Sequence, residues 1–120
     1  MMPGVRKSYI FRYETGYIPM IQHIMLWNYR DETPAEERAR LQAQLETLPS
    51  QVPALVSVQW GPVFGGRNQS FSHCFVMLFR DREGLAEYTV HPDHARFAAA
   101  FKEACAVQVV ADFEVQNQYE

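Results

Sequence analysis

The sequence predicts an α+β domain of ferredoxin-like β-α-β-β-α-β order: a four-stranded antiparallel sheet with helices on one face. Three observations predict it. Apolar residues recur with strand periodicity in four separate runs, and helical stripes with start and stop signals separate those runs. The strand runs are also apolar on both faces, although helices can cover only one. The bare face is therefore expected to pack on an identical sheet from a second copy, giving a two-fold homodimer and a dimeric α+β barrel.

The first run, Ile21 to Tyr29, sets Ile21, His23, Met25 and Trp27 on one face and Ile24 and Leu26 on the other. Thr33, Pro34 and Glu36 then read as a helix start: a threonine N-cap, proline at the first helical position and glutamate where a capping box needs it. Leu41, Leu45 and Leu48 form one apolar stripe, and Pro49 is expected to end the helix near Leu48. Val52 to Trp60 reads as the second strand, closed by Gly61 and Pro62, and Gly65, Gly66 and Asn68 mark a loop. In the third strand, Ser70 to Arg80, His73, Phe75, Met77 and Phe79 share a face opposite Cys74, Val76 and Leu78. Asp81 opens a short helix carrying Leu85 and Tyr88, which His91 and Pro92 interrupt. Ala95 to Cys105 forms another helix with Phe97 and Phe101 buried, and Val107 to Val115 is the last strand.

At 120 residues the chain has room for one core. Residues 21–115 form the expected domain, 116–120 a C-terminal tail, and 1–20 an N-terminal arm or leader in which Tyr9, Phe11 and Tyr13 alternate. The formal net charge of −3 argues against nucleic acid as a partner, because Arg38 and Arg40 sit beside Glu36 and Glu37 rather than in a basic patch. No run approaches the roughly 20 apolar residues that span a bilayer, so no membrane partner is expected. Arg6, Lys7, Arg12 and Glu14 break up any secretory apolar region, and Cys74 and Cys105 read as free thiols, so a cytoplasmic setting is expected.

The residues that carry chemistry are the four histidines and one tyrosine: His23 in IQHIMLW, His73 in FSHCFVMLF, and Tyr88, His91 and His94 in EYTVHPDH. His23 and His73 interrupt apolar runs, and a buried imidazole needs a hydrogen-bond partner. His91 precedes a proline suited to the first helical position and reads as a helix cap. Converging imidazoles are the donor set of a zinc or copper site. Against that, Pro92 breaks the helix between His91 and His94, H-E-x-x-H is missing, and no supporting carboxylate is evident near His23 or His73. The loop at Gly65 and Gly66 lacks the G-x-G-x-x-G and Walker patterns. Neither a metal nor a cofactor is expected.

Three segments carry a family resemblance: His23-Ile24-Met25-Leu26 in the opening strand, Val52-Pro53-Ala54 entering the second, and Tyr88 three residues before His91-Pro92-Asp93-His94. Over roughly Met20 to Phe113 the chain resembles the stress-responsive A/B barrel family of dimeric α+β barrels. In a polyketide-cyclising member, the catalytic tyrosine and histidine match Tyr88 and His94, and two further pocket histidines match His23 and His73. The resemblance implies cofactor-free, intramolecular aldol-type cyclisation of a poly-β-ketone small molecule. His94 would be the base and Tyr88 the oxyanion donor, with His23, His73, Met25, Trp27, Phe75 and Phe97 binding substrate. That assignment is chemically apt, since an imidazole titrates near working pH and a phenol donates toward developing negative charge. His23 and His73 would face one side of the sheet and Tyr88 and His94 would come from the helical layer above it, so the four can converge. Other members imply the alternative, a non-catalytic stress-responsive oligomer or small-ligand-binding protein.

Overall fold

The computed structural model describes residues 18–67 and 69–117. Its elements are β1 (Ile21–Tyr29), α1 (Ala35–Gln51), β2 (Leu55–Pro62), β3 (His73–Phe79), α2 (Arg82–Val90), α3 (Pro92–Ala104) and β4 (Cys105–Glu114). The strands form one sheet in the order β2-β3-β1-β4, with every neighbouring pair antiparallel. This is the expected ferredoxin-like α+β arrangement, with the helical segment after β3 divided into α2 and α3. The alternating aromatics Tyr9, Phe11 and Tyr13 lie outside the described residues, as do Asn68 and the last residues of the tail.

Antiparallel partners directly opposite each other share a face, so the register states which side chains meet. His23 stands opposite Met77 on β3 and Asp112 on β4, and Trp27 stands opposite His73 and Gln108. The face holding Ile21, Trp27, Phe75, Met77 and Phe79 is covered by Leu41, Leu45 and Leu48 of α1, Tyr88 of α2, and Phe97 and Phe101 of α3, all buried. On the other face, Ile24, Leu26, Val76 and Leu78 run beside Val107, Val109 and Phe113, and no described element covers them. Val109 and Phe113 are each 46% exposed there.

Several boundaries differ from expectation for local reasons. Thr33 does not cap α1; its hydroxyl donates to the Ala104 carbonyl at 2.9 Å, tying the helix entry to the end of α3. Pro34 takes the N-cap position with extended backbone and no side-chain bond. The helix also continues through Pro49 to Gln51. Proline removes one ladder bond, but buried Leu48 and Val52 anchor the final turn on either side, and Val52 N–H donates to the Leu48 carbonyl at 2.8 Å. Because Val52 belongs to that turn, β2 begins at Leu55. Strand β3 begins at His73 rather than Ser70, since Gln69 and Ser70 have φ of 56° and 66°, a left-handed backbone that no strand adopts.

Leu45 is 1% exposed at the centre of the α1 stripe. Leu45→Ala is expected to lower unfolding free energy by about 2–5 kcal/mol through lost burial and the cavity left behind, read from the midpoint of urea denaturation.

Candidate active site

The interruption of the second helical segment builds one side of the site. Asp81 caps α2, its carboxylate accepting from Gly84 N–H at 2.8 Å. At the other end His91 is extended, and its Nδ1 accepts from Asp93 N–H at 3.1 Å, capping α3. His91 is therefore the helix cap that its place before Pro92 implied. The break brings the last turn of α2 against the first turn of α3, so Tyr88 and His94 meet with ring centroids 4.1 Å apart. From the sheet below, the His23 ring approaches Tyr88 at 6.2 Å and Phe75 at 5.9 Å. His23 Nδ1 lies 2.5 Å from Asp112 Oδ1, its direct cross-strand neighbour. With the proton on Nδ1, His23 donates to that carboxylate.

These side chains border a cavity of about 160 Å³ lined by His23, Met25, Phe75, Tyr88, His94, Phe97, Ala98, Phe101, Lys102 and Gln108. Of the residues singled out in the sequence, His23, Met25, Phe75, Tyr88, His94 and Phe97 meet here. His73 and Trp27 do not. The pair Trp27 and His73 lies four residues along the strand from the pair His23 and Met77, on the order of 13 Å away. His73 is instead stacked on Trp27 at 5.4 Å and Trp60 at 6.5 Å, with Ser72 Oγ 2.8 Å from its Nδ1. Trp27 is fully buried against Phe101. The two strand histidines share a face, as expected, but the register keeps them apart.

Asp112, Lys102, Gln108 and Ala98 went unnoticed in the sequence. The expectation that no carboxylate supports His23 is overturned by Asp112. Its signal was a single acidic residue in the apolar stretch Val109-Val110-Ala111-Asp112-Phe113, on a strand that this topology sets beside β1. Among the described residues, no group of three or more His, Cys, Asp and Glu side chains is placed to hold a metal ion. Burial pushes the thiols of Cys74 and Cys105 above their ordinary value, which makes them poor nucleophiles.

The environment sorts the site's protons. Burial raises the Tyr88 phenol far above its ordinary value, so it remains a donor. His94 is lowered, first by burial and further by His23 and His91, against an opposing hydrogen bond to the Thr89 carbonyl. His94 Nδ1 lies 3.1 Å from that carbonyl, which can only accept, so Nδ1 carries the proton. Neutral His94 is left with Nε2 as a free base.

Fold and site together define a helix-covered antiparallel sheet with a cavity bordered by His23, Tyr88 and His94 at the helix–sheet boundary. The sequence profile of the Stress responsive A/B Barrel Domain matches residues 21–115, and the chain belongs to that family. A stress-response A/B barrel domain-containing protein of Arabidopsis thaliana is 31% identical over 97 residues, covering 78% of this chain and 85% of its own. Olivetolic acid cyclase of Cannabis sativa is 20% identical over 95 residues, covering 78% and 94%. Among solved structures, hydroxynitrile lyase from Passiflora edulis superposes with a TM-score of 0.78 at 20% identity, covering 82% of this chain and 94% of that one. A dimeric ferredoxin-like protein from Thermobifida fusca superposes with a TM-score of 0.71 at 23% identity, covering 82% and 92%. At these identities the two structures share the fold.

The shifts predict how stability varies with pH. His94 and His73 titrate below the ordinary 6.5 when folded, so the unfolded chain takes up protons first as pH falls. Their contribution is complete above about pH 6.5 and is lost progressively below it. Tyr88 is raised above 10.0, so its contribution is lost as pH climbs past that value. Melting temperature should be highest between these limits, and His94→Gln should reduce the acid-side fall seen in a thermal melt series.

Proposed function

We propose that this protein is a polyketide cyclase-like enzyme, closing a β-dicarbonyl or poly-β-ketone substrate by aldol-type acid/base chemistry that needs no cofactor. The observation that carries the reading is a neutral histidine with a free Nε2, packed at 4.1 Å on a buried phenol beside a largely apolar cavity. His94 Nε2 takes a proton from the carbon between two carbonyls, and Tyr88 O–H donates to the resulting enolate oxygen. The enolate carbon then bonds to a second carbonyl carbon of the same molecule, whose π electrons move to oxygen. The His94 imidazolium returns its proton to that alkoxide, leaving a cyclic β-hydroxy ketone and neutral enzyme. His23, held by Asp112, supplies a further polar contact to the substrate, and Met25, Phe75 and Phe97 supply the apolar wall. The similarity to olivetolic acid cyclase supports this class of reaction.

The test uses short poly-β-ketone acids, with cyclised product followed by liquid chromatography. Wild type should accelerate closure, and Tyr88→Phe and His94→Ala should each lower the rate by about 10²-fold while the circular dichroism spectrum is unchanged. Activity that survives both substitutions removes the mechanism. A wild type that binds these compounds and leaves the closure rate unchanged assigns the chain to the non-catalytic, ligand-binding alternative.

The same reading makes the protein a homodimer joined through the uncovered sheet face. Its support is the apolar strip of Ile24, Leu26, Val76, Leu78, Val109 and Phe113, and a structural neighbour described as dimeric. Size-exclusion chromatography with light scattering should give twice the chain mass for wild type and the chain mass for Val109→Asp, which sets a carboxylate in that face. A monomeric wild type excludes this arrangement.

A further inference from the structure

The cavity has two chemically different ends. His94, Phe97, Ala98, Phe101 and Lys102 all line it, at positions i, i+3, i+4, i+7 and i+8 of α3, so a single face of that helix forms one wall. His94 starts this face and Lys102 ends it, eight residues on, or about 12 Å along the axis. Helical side chains lean toward the helix N-terminus, which from Lys102 is the direction of His94. Ala98, between the two phenylalanines, leaves the intervening space open.

Strand β4 repeats the division. Asp112 stands opposite His23 at the acid/base end, whereas Gln108 stands opposite Trp27, against which Phe101 packs. Lys102 and Gln108 therefore mark the far end. A lysine in the last turn of a helix complements the helix dipole wherever it occurs. What singles out Lys102 is that it also lines the cavity, that its ammonium makes no hydrogen bond or ion pair among the described residues, and that no carboxylate is in the lining. At about 160 Å³ the space is well below the roughly 300–1,000 Å³ of sites for larger ligands.

We infer that the cavity takes a short keto acid as its anion, with the ketone between Tyr88 and His94 and the carboxylate on the Lys102 ammonium at the opposite end. This deepens, and rests on, the reading of the cavity as an acid/base site. It makes Lys102 the residue that selects a free acid over a neutral ester of the same length.

The experiment is titration calorimetry of levulinate (4-oxopentanoate) and methyl levulinate against wild type, Lys102→Met and Lys102→Arg. Wild type should bind levulinate about tenfold more tightly than the ester, the strength expected of one charge-assisted contact. Lys102→Met should bind the two equally, and Lys102→Arg should recover the preference. Lys102 is exposed, so the variants should fold, with melting temperatures within a few degrees of wild type. Equal binding of acid and ester by wild type, absence of levulinate binding, or a preference that persists in Lys102→Met overturns the inference. The readout is binding rather than turnover, so failure of the proposed cyclisation leaves a positive result standing and the two failures are distinguishable.

Discussion

Strand β1 pairs with β3 on one side and β4 on the other, and its side chains alternate between a face buried under helices and a face that the described chain leaves open. A slip of one residue in either ladder would reverse every side chain it moved. Trp27, which is fully buried, makes such a slip costly, because it would expose an indole and drive Asn28 or Leu26 into a space shaped for it. Correct burial of Trp27 therefore holds His23 on the helix side, opposite Asp112. The site depends on a packing decision made two turns of the pleat away.

A second constraint acts from above. Had α2 and α3 been one continuous helix, Tyr88 and His94 would sit six residues apart, about 120° around it and about 9 Å along it. Extended backbone at His91, followed by Pro92, redirects the chain so that both rings meet over the sheet. His91 contributes through its backbone and its capping nitrogen, and the imidazole that faces the cavity belongs to His94. Two nearby histidines thus have separate places, one holding the helix start and one lining the cavity.

Much of this was legible in the sequence because it rests on local rules. Alternation in Ile21 to Tyr29 and in His73 to Phe79, the leucine stripe of α1, the Asp81 cap and the break at Pro92 each follow from the chain's immediate neighbourhood. What escaped was long-range. The pairing of His23 with Asp112 spans 89 residues, and the separation of His73 from His23 depends on inter-strand register rather than on which face each occupies. Thr33 departs from its local capping signal because its hydroxyl has a more distant partner, the Ala104 carbonyl. Lys102 lines the cavity through the path of α3, which nothing in its local sequence marks.

The His23–Asp112 contact also crosses a boundary. The His23 side chain is 15% exposed, while the Asp112 side chain, on edge strand β4, is 44% exposed. One end of the pair meets the enclosed rings and the other meets water. The enclosed imidazole is thereby oriented by a carboxylate that keeps its water. The ring is fixed in place without the desolvation cost of burying a charged carboxylate beside it.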